Sequence, residues 1–277
     1  MSQQDALNTG IEYLRVFNFS DAYQVLSDVQ SSYSPEGNAA DWQVATYSLA
    51  IAAWHQSPPS QEGLLEARSL MESIIEHAPG SLYAASAMLD IGRILEIAYF
   101  HGDSVDVLAA QRYYQRVREE FAGTDMALRA TLYLAQSRAQ SFDSVEVQTA
   151  IDLLESEMSE LEDSPWLGIL AQYTAQLYAF YLDQPKQALQ PYAIAMEAGF
   201  PRSADSDASL WQFALLAEKA EDYEFAARIF ARLLQDFPRS IYATISRERL
   251  VQVLADHPEL TIEVPALPQS VFNLQSM

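Results

Sequence analysis

The sequence predicts an all-α fold: an α-solenoid of about six antiparallel helix pairs over residues 1–255, followed by an extended C-terminal tail at 256–277. Three observations lead there. An apolar pattern at helical spacing returns six times along the chain. A break comes after it each time, and the junctions resemble one another: "IIEHAPGSLYAASAMLDI" (74–91), "REEFAGTDMALRATLYLA" (118–135) and "LLQDFPRSIYATISRERL" (233–250). No Gly/Ser-rich or charged linker interrupts the series, so it reads as one domain.

The pattern is an alanine, a large residue four on, an apolar residue three further, and a break five later. Copy one has Ala22, Leu26, Val29 and Ser34, with Pro35 adjoining. Copy two has Ala67, Met71, Ile74 and Pro79; copy three has Ala110, Tyr114, Val117 and Ala122. Copy four, Ala150, Leu154, Glu157 and Glu162, turns acidic at its last two points. Copy five is Ala188, Tyr192 and Ala195, with its proline at Pro201. Copy six is Ala226, Phe230, Leu233 and Pro238. The alanines stand 45, 43, 40, 38 and 38 residues apart. Steps of three and four put each set on one helix face. The alanine lets two backbones approach, and the large residue fills the space beside it. A proline ends the helix, because it lacks an N–H and restricts the residue before it. Ser81, Thr124, Ser164, Ser203 and Ser240 come after these breaks as predicted N-caps for the next helix. The "APGSLYA" and "FPRSIYA" stretches are therefore handovers from one pair's second helix to the next pair's first.

First helices carry their own signature: Met88, Ile91, Gly92 and Leu95 in copy three, and Leu210, Phe213, Ala214 and Ala217 in copy six. Gly10 with Tyr13 repeats the small-then-aromatic step in copy one. Over residues 5–255 the chain resembles the tetratricopeptide (TPR) repeat family. That resemblance implies a right-handed solenoid with first helices lining a concave groove that takes another protein. Copies two to four depart from it by insertions at 55–63, 100–106 and 141–147. The closing F-P-x-S-x-Y-A element is also similar to bacterial envelope TPR proteins of the outer-membrane assembly lipoprotein type. That likeness, with the absent cysteine, points to periplasm or cell envelope, the alternative being cytoplasm.

The tail has prolines at 258, 265 and 268 and no helical period. Its "LTIEV" is strand-like but has no partner strand, so it is expected as a loosely packed terminus or as an extended segment in its own or a neighbour's groove.

Composition narrows the function. The 277 residues include 49% apolar ones, enough for a packed core. No run of 18 apolar residues encodes a membrane span, and "MSQQDALNTG" lacks the features of a signal peptide. Net charge is −22, from 38 acidic against 16 basic residues, a field that repels phosphate backbones and anionic membranes. Without cysteine there is no disulfide, thiolate nucleophile or Cys-ligated metal. His55, His77, His101 and His257 form no metal-ligand motif, and His77, beside a break, reads as facing the last carbonyls of its helix. "ESEMSELEDS" (155–164) has helical spacing and no glycine, which suits a solvated face better than a Ca²⁺ loop; "SADSDAS" (203–209) reads as a cap. No phosphate loop or nucleophile elbow occurs. No catalytic, cofactor-binding or metal site is expected.

The expected function is then a non-catalytic protein–protein interaction scaffold within a multi-protein assembly. Taking Gly92, Ala135 and Ala214 as inward-packed references, the resemblance places partner contacts on neighbouring first-helix positions. These are Leu89, Arg93, Glu96, Leu132, Gln136, Trp211, Leu215, Glu218 and Lys219, with Tyr47, Tyr173 and Tyr181 by helix position. Such a mixture suits an extended or helical peptide segment. Two alternatives are an α/α helical sugar-active enzyme and a subunit that self-associates through its tail.

Overall fold

A computed structural model describes residues 2–162, 164–199 and 206–268. It is all-α: among the described residues there are thirteen α-helices and no strand. The chain divides into two compact units, Met1–Ser137 and Arg138–Met277. Unit 1 holds α1 (Gln3–Arg15), α2 (Phe19–Gln30), α3 (Ala39–Trp54), α4 (Gln61–His77), α5 (Leu82–Leu95), α6 (Val107–Glu120) and nearly all of α7 (Asp125–Ala139). Unit 2 holds α8 (Ser144–Met158), α9 (Pro165–Gln176), a π-helical turn (Leu177–Tyr181), α10 (Pro185–Ala198), α11 (Ser206–Lys219), α12 (Tyr223–Asp236) and α13 (Ala243–Asp256). Consecutive helices pack on one another from α1 to α6 and from α8 to α13, and α7 meets α6 through Tyr133 and Tyr114. In unit 1, α1 also meets α3, and α3 meets α5, so first helices stack on first helices as in a solenoid.

The six repeat alanines sit where the pattern requires. Ala22, Ala67, Ala110, Ala150, Ala188 and Ala226 are all fully buried. The large residues beside them, Leu26, Met71, Tyr114, Leu154, Tyr192 and Phe230, are buried too. Each such side chain contributes roughly 1.5–3 kcal/mol by leaving water. The small residues of the first helices are the complementary hollows. A Cβ on Gly92 would lie 2.4 Å from Tyr114 Cε1, and one on Gly10 would lie 2.5 Å from Leu26 Cγ. In copies one and three, the pair is thus locked by a glycine of the first helix under the large residue of the second.

Turns inside the pairs repeat as well. Phe17, Phe142, Asp183 and Glu221 have left-handed φ values between 51° and 64°. Each stands immediately before the N-cap of a second helix. Asn18, Asp143 and Asp222 then accept from backbone N–H groups of α2, α8 and α12, whereas Gln184 makes no such bond. Copies two and three replace this tight turn with loops at 55–60 and 96–106.

Several expectations are corrected. The insertion expected at 55–63 ends at 60, because Gln61–Gly63 are already helical with Ser60 as their cap. The one expected at 141–147 shrinks to a short turn, because Asp143 caps a helix that starts at Ser144. Ser81 and Ser164 cap α5 and α9, and Thr124 Oγ1 accepts from Ala127 N at 3.4 Å at the start of α7. Ser240 does not cap α13. It lies two residues before Tyr242 and donates to Asp207 Oδ2 at 2.6 Å, accepting from Tyr242 N at 3.0 Å. The competing carboxylate of α11 takes its hydroxyl. Pro201 and Ser203, the predicted break and cap of copy five, lie outside the described residues.

Beyond copy six, α13 is a further first helix, and among the described residues no second helix follows it. The described tail after it is extended but not loose: Leu260, Ile262, Val264 and Leu267 pack against the core of unit 2.

Candidate functional site: the first-helix faces

In unit 1 the half-buried positions of α3, α5 and α7 include tyrosine, aspartate and arginine beside aliphatic residues such as Val44, Leu95 and Leu132. Tyr47 on α3 donates from its hydroxyl to Asp90 Oδ2 on α5 at 2.6 Å, across 43 residues, which is one repeat. Tyr133 on α7 occupies the same position two helix pairs further along the chain. The Arg93 guanidinium lies over the Tyr133 ring, 5.0 Å from its centre. Such a contact contributes about 0.5–1 kcal/mol where water still reaches it. Tyr133 in turn meets the edge of Tyr114 at 5.7 Å, and the Tyr114 hydroxyl donates to Glu96 Oε2 at 2.9 Å. Tyr83 rests 5.5 Å from Tyr47, and Trp54 Nε1 donates to the Tyr99 hydroxyl at 2.9 Å.

Electrostatics on this face derive from burial. Burial pushes the Asp90 carboxyl above its ordinary range, against the Tyr47 hydrogen bond and the nearby Arg93 and Arg129. Burial and the Asp90 charge push the Tyr47 phenol up, keeping it a hydroxyl donor. Among the described residues neither Arg93 nor Arg129 has an ion-pair partner, and Arg129 is exposed. The face therefore presents two guanidinium groups beside ordered aromatic rings.

Of the residues expected here, Arg93 and Glu96 are half-buried members of this network. Leu132 and Gln136 are placed on α7, Leu132 half-buried. Leu89 is a core residue, 2% exposed, and offers no surface to a partner. α5 packs on both α4 and α6. Sequence reasoning missed Asp90, Arg129 and Tyr133. The recurrence of polar aromatic residues at Tyr47, Tyr133 and Tyr173, two positions before a buried small or apolar residue, is the signal that could have found them.

In unit 2 the expected residues are largely engaged by their own chain. Trp211 stacks on Tyr242 at 5.7 Å and tilts against Phe230 at 5.8 Å. Glu218 pairs with Arg249 of α13 at 3.0 Å; burial raises its pKa, and Arg249 opposes the shift. Lys219 pairs with Asp183 at 2.5 Å, an exposed contact of small energetic consequence. Leu215 packs against the core. Tyr173 is half-buried, its phenol raised by burial. Tyr181 ends the π-helical turn and stacks on Phe142 at 5.3 Å, leaving the Phe142 ring exposed. A separate open cavity of about 1130 Å³ lies among α8, α9 and α10, lined by Met158, Leu167, Pro191 and Ile194 together with Glu155 and Glu197.

His77 Nδ1 meets the Ser73 carbonyl at 2.9 Å, which makes that nitrogen the proton donor, and His55 stacks on Trp54 at 4.6 Å. Among the described residues no three His, Asp or Glu side chains come together as a metal site, and no helix is long and apolar enough to cross a membrane.

No protein-family model and no curated protein matches the chain. Among solved structures it is similar to the Assembly Chaperone of RpL4 (Acl4), residues 1–338, at 13% identity with a TM-score of 0.43, over 92% of this chain and 99% of that one.

Proposed function

We propose that this protein is a non-catalytic, TPR-like scaffold whose unit 1 first-helix face binds a segment of another protein. The observation that carries the reading is the Tyr47–Asp90, Arg93–Tyr133 arrangement. Aromatic and arginine side chains are the groups that dominate protein interfaces when they are desolvated by a partner. Here their rotamers are already fixed by hydrogen bonds and ring contacts, so less side-chain entropy is lost on binding. Apolar side chains of the partner lie against Tyr47, Tyr83 and Tyr133. Its carbonyl or carboxylate oxygens accept from Arg93 and Arg129, which lie near Asp90 but form no ion pair among the described residues.

The test is affinity capture with cross-linking mass spectrometry, using wild type beside Arg129→Glu and Arg93→Ala. Arg129→Glu changes an exposed side chain on the water-facing side of α7, so folding is retained. The expected result is a protein cross-linked to α3, α5 or α7 in the wild type and reduced at least tenfold in both variants. Capture that ignores both substitutions removes the unit 1 face as the binding surface.

A further inference from the structure

The segment after α13 is seated differently from everything else in unit 2. His257 stacks on Tyr223 at 4.1 Å, and Leu260 N donates to the His257 carbonyl at 3.0 Å, which fixes where the segment leaves the helix. From there the side chains alternate. Leu260, Ile262 and Val264 are half-buried against the core of unit 2, whereas Thr261 and Glu263 face water. Leu267 continues the apolar side after Pro265. An extended chain from 260 to 267 covers roughly 23 Å at about 3.3 Å per residue, the length of one of these helices.

The segment's attachments are few. Among the described residues, no hydrogen bond ties 261–268 to any helix. Helices α10 to α13 all supply fully or nearly fully buried side chains to this core, and the segment supplies none. It is held by four half-buried apolar side chains and by its covalent link to α13. Segments with few buried contacts and no backbone bonds are the first to open. Pro265 and Pro268 pre-set an extended backbone, which lowers the entropy lost when the segment lies down.

We infer that the surface under residues 257–268 is a peptide-binding site, and that this segment is its resident ligand. Its partner is an extended segment of another protein with apolar side chains at alternate positions, which takes the site by displacing the tail. The inference is independent of the function proposed for unit 1. Because the tail is tethered, its effective concentration at the site is high, so a free competitor sees an apparently weak site until the tail is loosened.

The experiment uses the full chain and a fluorescein-labelled peptide of residues 257–268. Wild type is compared with the full-length double variant Ile262→Asp/Val264→Asp by fluorescence polarisation, and both are followed by thermal unfolding and light scattering. The variant is expected to bind the peptide at least tenfold more tightly than wild type, while a peptide carrying the same two substitutions binds neither. Its unfolding midpoint stays within a few degrees of wild type, as a displaceable segment requires. Equal peptide binding by both proteins overturns the inference. So does a variant that unfolds or loses its cooperative transition, because the segment would then be part of the core. A wild-type dimer that dissociates in the variant would assign the site to the tail of a second copy, and the hetero-partner would be wrong.

Discussion

The α5 face of unit 1 and the α11 face of unit 2 begin from the same place in the repeat and end in different states. Gly92 and Ala214 are corresponding small residues, so Arg93 corresponds to Leu215 and Glu96 to Glu218. In unit 1 the glutamate accepts from Tyr114 of its own pair, and the arginine lies over a tyrosine. In unit 2 the glutamate is taken by Arg249 of α13, the tryptophan is stacked on Tyr242, and an extended segment packs on the same core. The difference comes from the elements next in the chain. The α5 face keeps its arginine free of an ion pair, whereas the α11 face is engaged by Tyr242 and by Arg249 of α13.

The largest expected effect breaks the lock in unit 1. Tyr114→Ala removes a fully buried ring that also bonds Glu96 and should cost about 3–5 kcal/mol in urea unfolding. Gly92→Ala, whose Cβ would meet that ring, should cost about 1–3 kcal/mol by overpacking. The two must be non-additive, because removing the ring makes room for the methyl. Additive losses would mean that the pair is not locked there.

In unit 2, Trp211→Ala should cost about 2 kcal/mol, less than Tyr114→Ala, because Trp211 is only half-buried. If it costs as much as Tyr114→Ala, the α11 face is as integral to folding as the repeat lock.

Asp90 sharpens the contrast through pH. Its folded pKa is raised, so the folded state holds the proton longer than the unfolded chain does. The stability it contributes falls as pH rises from the ordinary value of 3.8 and levels off above the raised one. Asp90→Asn lacks this loss. Its stability relative to wild type should therefore increase with pH over that window, measured by urea unfolding at several pH values. A difference that stays flat means that burial does not raise the Asp90 carboxyl.

The smallest effect lies at the left-handed turns. Phe17→Asn should stabilise by about 1 kcal/mol, because asparagine tolerates this conformation better than a bulky ring. Phe142→Asn should gain less, because its stack on Tyr181 at 5.3 Å, of a kind that contributes about 0.5–1.5 kcal/mol, is closer than the edge contact of Phe17 on Phe19 at 6.2 Å. Equal gains in thermal unfolding would show that the stack contributes no more than the Phe17–Phe19 edge contact.

The six buried alanines and their large neighbours were legible because helical spacing and close backbone approach leave a direct mark on residue type. Turn geometry was legible only in part: a left-handed φ at Phe17 or Phe142 has no sequence signal, since asparagine or glycine is the usual choice. Arg93 and Trp211 look alike as candidates in sequence, yet the first lies over a ring on the unit 1 face and the second is stacked into its own unit. What separates them is a tertiary contact, Trp211 on Tyr242, across a junction whose serine has the sequence marks of a cap and bonds Asp207 instead. The seat of the tail was illegible for the same reason. "LTIEV" read as strand-like without a partner, and nothing in the sequence named the surface it packs on.

The measurement that bears most directly on the scaffold reading is photo-cross-linking in the native cell. A photoreactive residue replaces Tyr133, with Glu119 on α6 as the control, in wild-type and Arg129→Glu backgrounds. A discrete protein adduct is predicted at 133, lost with Arg129→Glu and absent at 119. No adduct at 133, or one of equal yield at 119, would contradict the binding of a partner on this face.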